Sequence, residues 1–173
     1  MASLGHLVKR FVTSVPVGPS KEDDRWAREQ LLDRERVLWT EMSRADRRHA
    51  AGVARRVDAA LGPDATRPVL AAALLHDVGK NEAGLGTYGR SVATLSGMVV
   101  RHDMDVIRAW TRTTGFTRRC GLYLQHPRLG GDLLAMAGSD PLTEAWAREH
   151  HLPEAEWTVP PVVGHALRDA DND

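Results

Sequence analysis

The run Leu70-Ala71-Ala72-Ala73-Leu74-Leu75 is apolar on every side, and it leads directly into His76-Asp77-Val78-Gly79-Lys80. Alanine and leucine are strong helix formers, and a helix that is apolar all round has to be buried. A chain carrying such a helix must wrap other helices around it. It must also account for the imidazole, carboxylate and ammonium at the end of that helix. A carboxylate beside so apolar a run needs a partner or a metal to offset its desolvation. Consecutive helical residues point about 100° apart, so His76 and Asp77 can approach one cation from two directions, with Lys80 one turn later.

The rest of the chain supplies the wrapping helices. Ala, Leu, Arg and Glu dominate, apolar residues recur at intervals of three and four, and no strand alternation or internal repeat is evident. After the break at Pro16 to Pro19, Ser20 caps a helix from Lys21 that carries Trp26, Leu31 and Leu32 inward, and a second stripe holds Val37, Leu38, Trp39 and Met42. The tryptophans read as core anchors. A helix from near Ala45 places His49, Val53 and Val57 on its inner side and ends at Leu61, before Gly62-Pro63. The central helix then runs from about Arg67 and stops at Gly79. A flexible loop between Gly84 and Gly89 precedes a helix starting near Thr87. The charged stretch from Arg101 to Arg119 reads as a helix plus a turn at Gly115, inserted between two halves of a site, with His102 not a ligand. Pro127 opens a helix to Ala137, Asp140 caps another running to His151, and Pro160-Pro161 opens the last, which carries Val163, Leu167 and Asp171. The expectation is an all-α, compact multi-helix bundle.

At 173 residues the chain is one domain's worth of sequence. Its 23 basic and 23 acidic residues cancel, so no global field gathers nucleic acid or an anionic membrane, although Arg47-Arg48 and Arg118-Arg119 form local basic clusters. Stable nucleic-acid binding is therefore not expected. The single cysteine, Cys120, rules out an internal disulfide framework and reads as a small apolar helix residue. No run is apolar enough to span a bilayer, and the first residues lack a signal peptide's order of charge and hydrophobicity, which makes cytoplasm the expected compartment. Leu4, Leu7, Val8 and Phe11 suit either a short amphipathic anchor or, more commonly, a segment packed back on the domain.

Further histidines and acids lie at the polar edges of the apolar segments: His49, His126, the pair His150-His151, and Asp171 in a tail that also holds Asp169 and Asp173. Each has an ordinary reading alone. His49 suits a hydrogen-bonded core histidine, His126 a turn residue before proline, and His150 and His151 helix C-terminal imidazoles favoured by the helix dipole. Taken with His76 and Asp77, they form the nitrogen and oxygen set that a one- or two-metal hydrolytic site requires.

The set resembles the HD superfamily of metal-dependent phosphohydrolases, whose signature is a histidine, a His-Asp pair and a distant aspartate. The matching positions are His49 in Arg-Arg-His-Ala-Ala-Gly-Val-Ala, His76 and Asp77 in Leu-Leu-His-Asp-Val-Gly-Lys, and Asp171 in Arg-Asp-Ala-Asp, with Asp169 the alternative last ligand. His126 in Gln-His-Pro-Arg-Leu-Gly-Gly, together with His150 and His151, is similar to the extra ligands of the binuclear HD-GYP branch. The resemblance spans residues 45 to 171 and implies an HD-like metal-binding domain over 45–173, with residues 1–44 a helical extension packed on it. It implies one or two divalent transition metal ions (manganese, iron, nickel, cobalt or zinc), one held by His49, His76, Asp77 and Asp171. A second would be bridged by Asp77 and held by His126, His150 and His151. It further implies a small phosphorylated substrate, such as a nucleotide, hydrolysed by a metal-activated water, with Asp77 and Lys80 catalytic, Lys80 stabilising the developing charge, and Lys80, Arg90 and Arg128 binding phosphate. The Gly-Tyr-Pro segment is absent after His150-His151, which argues against cyclic di-GMP as substrate. Ala45, with Asp46 beside it, stands where some binuclear members carry a glutamate. The competing expectation is a catalytically silent HD-like module that binds a nucleotide or a protein.

Overall fold

The computed structural model describes residues 18–172. Leu4, Leu7, Val8, Phe11 and Asp173 lie outside the described residues, and so do the expectations placed on them. The described chain is all-helical and contains no strand. Its helices are α1 (Lys21–Glu29), α2 (Asp33–Glu41), α3 (Arg44–Leu61), α4 (Arg67–Leu75), α5 (Thr87–Val99), α6 (Met104–Thr111), α7 (Gly115–Leu124), α8 (His126–Ala137), α9 (Pro141–Glu149) and α10 (Pro161–Asn172). Short 3-10 turns follow α3 (Gly62–Asp64), α4 (Val78–Ala83) and α9 (Glu154–Glu156).

Helix α4 is the centre of the bundle. Every residue from Val69 to Leu75 is buried, as its all-round apolarity requires, and α2, α3 and α9 pack around it. Helix α10 lies on α3, while α8 packs on α9 and on the 3-10 turn after α4. The main core joins Trp39, Val53, Val57, Leu74, Leu75, Leu134, Trp146 and Leu167, residues drawn from both ends of the chain. Truncating Leu74, which is fully buried, to alanine costs about 3 kcal/mol. The helices before residue 44 share this core, because Ala27, Leu31, Trp39 and Met42 belong to it. A second, smaller cluster of Ala83, Leu85, Ala93 and Cys120, with Trp110, Leu122 and Tyr123 against it, holds α5, α6 and α7 together as a lobe.

Caps set the helix boundaries. Ser20 accepts from the Asp23 N–H and Ser43 from the Asp46 N–H, while Asp140 accepts from the Leu142 N–H at 2.9 Å. Two residues expected inside are exposed: Leu32 at 37% and Val37 at 58%. The buried side of α2 is instead set by Glu35, Trp39 and Met42, and Val37 sits about 200° round the helix from Glu35. Leu32 takes the N-cap position, where its N–H donates to Glu35 at 2.7 Å. The stretch from Arg101 to Arg119 contains α6 and the first half of α7 rather than one helix and a turn. Helix α7 packs on the Val78–Ala83 turn, so it supports the site from behind.

Candidate metal centre

The central helix ends earlier than its sequence suggests. Its last regular residue is Leu75; His76 occupies the C-cap, and Asp77, at φ −101° and ψ 7°, leaves the helix for the 3-10 turn Val78–Ala83. Gly79 is a point of close approach within that turn, not a terminator. A Cβ there would meet the His126 carbonyl oxygen at 2.1 Å and the Gly130 nitrogen at 2.6 Å. Only glycine lets α8 come this near, and that contact brings His126 over Asp77.

Five helices then converge on Asp77 and its neighbours. His49 lies in α3, His76 ends α4, His126 begins α8, His150 and His151 end α9, and Asp171 is near the end of α10. One candidate ligand atom each from His49, His76 and Asp77 falls within a 4.8 Å group, and so does one each from His126, His150 and His151. Asp77 joins the two groups. Its Oδ2 is 3.4 Å from His76 Nε2, and its Oδ1 is 3.4 Å from His126 Nε2 and 3.7 Å from His150 Nε2. Asp171 Oδ1 lies 2.7 Å from His49 Nε2 and 3.6 Å from His76 Nε2. The rings form one continuous cluster, with centroids 5.7 Å apart for His49 and His76, 5.4 Å for His76 and His150, and 4.0 Å for His150 and His151.

Three of these imidazoles share one arrangement. His76, His126 and His150 each donate through Nδ1–H to a backbone carbonyl three residues earlier, those of Ala73, Tyr123 and Ala147, at 2.8 to 3.0 Å. Such a bond commits Nδ1–H to the backbone and turns Nε2 toward the cluster, free to give its lone pair to a metal ion or, without one, to carry a proton, which is the way ligating histidines are commonly held. All three Nε2 atoms are buried without a hydrogen-bond partner. They face an acidic side chain that cannot donate to them when ionised. Lone pairs aimed at a carboxylate are mutually repulsive unless a cation sits between them. Two donors each about 2.1 Å from one ion stand about 3.0 to 3.4 Å apart at octahedral or tetrahedral angles, close to the spacings around Asp77. The donor set therefore fits a divalent transition metal.

The charges agree with that fit. Burial works against ionised Asp77, yet the Lys80 ammonium and His76 hold its carboxyl well below the usual range. Burial likewise opposes a charged His76, but Asp77 and Asp171 outweigh it and raise His76 to about 9, so a proton supplies the positive charge that the cluster demands. Desolvation, with Lys80 and His150, lowers His126 against the pull of Asp77, and desolvation with His150 and His126 lowers His151 to about 3, which leaves both neutral lone-pair donors. Asp171 stays ionised against its own burial through the His49 hydrogen bond and the His76 charge.

The other expected site residues are placed as follows. Lys80 forms an ion pair with Asp77 Oδ2 and is nearly buried. Arg90 donates Nε–H to the Leu85 carbonyl and both terminal nitrogens to Asp46, at 2.5 and 2.7 Å, which ties α5 to the start of α3. Arg128 is exposed and bonds Asp132 and Gln125. His49 stands at the rim, its side chain 43% exposed, because the buried side of α3 runs through Ala50, Val53 and Val57. Asp169 is exposed and His102 lies on the surface, whereas Cys120 is buried in the lobe's small core.

Sequence reasoning passed over three supporting groups. Asp46 caps α3 with Ser43 and grips Arg90 as well. Glu149, buried beside His150, accepts from the Thr158 N–H and hydroxyl and from the Val159 N–H, closing the turn that carries His151. Tyr123 supplies the carbonyl that orients His126 and sets its ring 5.6 Å from that imidazole. None of the three has a signal in the sequence; the glycine pair Gly130-Gly131 one turn after His126 marks instead the close approach of α8 to Gly79. Comparisons of the chain with protein-family models, curated proteins and solved structures gave no match.

Proposed function

We propose that the chain is a metal-dependent phosphohydrolase of the HD type that acts on a nucleotide or another small phosphate ester. The observation that carries this reading is the buried Asp77 carboxylate flanked on one oxygen by His76 and on the other by His126 and His150, with all three Nε2 atoms unpartnered. His49, His76, Asp77 and Asp171 would hold one divalent ion, and His126, His150 and His151 a second, with Asp77 shared between them. Bound there, such ions supply Lewis acidity toward a phosphoryl oxygen and a nucleophilic water at neutral pH.

The chain's own residues do the rest. The backbone carbonyls behind His76, His126 and His150 keep those rings in one tautomer and one orientation, so no reorganisation is needed when substrate arrives. Lys80, charged and nearly buried beside Asp77, sets a fixed positive charge where phosphate oxygens gather and stabilises charge that develops on them. Arg90 stiffens the α3–α5 corner through Asp46, while exposed Arg128 would exchange its Asp132 and Gln125 partners to meet a substrate phosphate. The test is a panel of nucleoside mono-, di- and triphosphates, cyclic nucleotides and a chromogenic phosphodiester, each assayed with added manganese, nickel or cobalt. Turnover of mononucleotides or simple diesters is expected, with little of cyclic di-GMP. Efficient cyclic di-GMP cleavage would contradict the substrate class, and an inert, fully metallated protein that binds nucleotides saturably would favour the silent module.

A further inference from the structure

Helix α5 is amphipathic the wrong way round for a helix at a protein surface. Its inward side carries Arg90, Ala93, Thr94 and Gly97, and Gly97 lies so close to Leu124 that a Cβ would come within 2.8 Å of that side chain. At 100° per residue, Val92, Leu95 and Val99 fall on the opposite side, and there Leu95 is 61% and Val99 83% exposed, with Met98 beside them. A contiguous exposed apolar stripe of this kind marks a contact surface. Arg90 is the one charged residue of α5, and it points back to Asp46.

The charge of the surrounding lobe indicates what that contact is. Residues 87 to 124 contain six arginines (Arg90, Arg101, Arg108, Arg112, Arg118 and Arg119) against Asp103 and Asp105, a net +4 within a chain whose total is zero. The balance of the whole chain thus conceals a basic lobe on an acidic remainder. Arg101, Arg108, Arg112 and Arg118 are exposed, and so are Met104 and Phe116. Arginines alone would suit any polyanion. An uncharged stripe of Val, Leu and Met gains nothing from nucleic-acid phosphates, but it gains from hydrocarbon under an anionic headgroup layer.

We infer that the α5–α7 lobe docks the protein on an anionic lipid surface, with Val92, Leu95, Met98 and Val99 entering the headgroup–acyl boundary and the lobe's exposed arginines meeting the lipid charge. This inference is independent of the phosphohydrolase reading. It is tested by co-sedimenting the full chain with vesicles of phosphatidylcholine containing about a third phosphatidylglycerol, and with pure phosphatidylcholine. Binding to the anionic vesicles alone, weakened by salt, is expected. The double variant Leu95→Glu/Val99→Glu should lose at least about tenfold in affinity, and Arg101→Gln and Arg118→Gln about fivefold each, with Val162→Glu, an exposed apolar site on α10, unchanged. Thermal melts of each variant guard against misfolding. Absence of vesicle binding, or full binding by the α5 double variant, overturns the inference. So does loss of binding in Leu7→Glu/Phe11→Glu while the α5 variant binds normally, since the first residues would then be the anchor. A dimer in sedimentation that the α5 variant dissociates, without lipid binding, would show that a second copy covers the stripe.

Discussion

Asp171 Oδ1 lies 2.7 Å from His49 Nε2, and this contact joins the last helix to α3 across 122 residues of sequence. It also distinguishes Asp171 from Asp169. Asp171 reaches the cluster, while Asp169, two residues earlier and so on another side of α10, is exposed. Asp171→Asn should therefore lower metal affinity by at least about tenfold and cut any hydrolase activity further, with Asp169→Asn close to wild type in both. Isothermal titration with manganese or cobalt on the two variants checks this, and equal losses would remove Asp171 from the ligand set.

The Gly79 contact predicts a substitution whose damage exceeds its size. Gly79→Ala adds one methyl group against the backbone of α8, at 2.1 Å from a carbonyl oxygen, so α8 must shift and carry His126 with it. A loss of about 3 kcal/mol or more is expected, because backbone cannot yield as a flexible side chain does. Metal uptake should fall in parallel. Gly138→Ala, on the far end of the same helix at φ 74°, costs only about 1 kcal/mol and serves as the comparison. Denaturant melts measure both.

The metal-free protein should lose stability as the pH rises from about 6.5 to about 9. His76 is raised in the fold from 6.5 to about 9 against its own burial by Asp77 and Asp171. A raised histidine contributes fully below its unfolded value and ceases to contribute once pH passes its folded value. Over the same window metal binding displaces that proton, so binding should tighten with pH and release protons, which calorimetry in buffers of different ionisation enthalpy detects. A melting temperature of the metal-free form that rises between pH 6.5 and 9 would contradict this assignment.

Lys80 separates chemistry from metal holding. Its ammonium touches Asp77 but offers no lone pair to a metal while charged, and its Asp77 partner raises its affinity for the proton against the burial that opposes it. Lys80→Met should leave the metal content unchanged and reduce kcat by about a hundredfold. Loss of metal together with activity would make the lysine a structural partner of Asp77 only.

The fold was largely legible because its helices carry their own punctuation. Ser20 and Asp140 cap where their side chains predict, and the apolar run before His76 is central because nothing on it tolerates water. Leu32 and Val37 misled because they are apolar in type, while the inward side of α2 is fixed by Glu35, a buried acid that no hydropathy pattern places inside. The candidate ligands lie together in the fold, but the carbonyls that orient three of them did not show in the sequence. Backbone acceptors at Ala73, Tyr123 and Ala147 have no residue signature. Gly79 looked like a helix stop because glycine serves both that role and close packing, and only the position of α8 distinguishes them. Arg90 read as a free phosphate ligand because its partner Asp46 lies 44 residues away.

Asp77 stands between two candidate metal-binding groups, and metal stoichiometry tests most directly whether both are filled. Elemental analysis of the protein reconstituted with manganese or cobalt and freed of excess ion should give about two ions per chain in the wild type. His126→Ala should lower this to about one, and Asp77→Ala to well below one, with helix content by circular dichroism retained in all three. A wild-type value that stays well below one per chain after reconstitution would contradict the metal centre altogether.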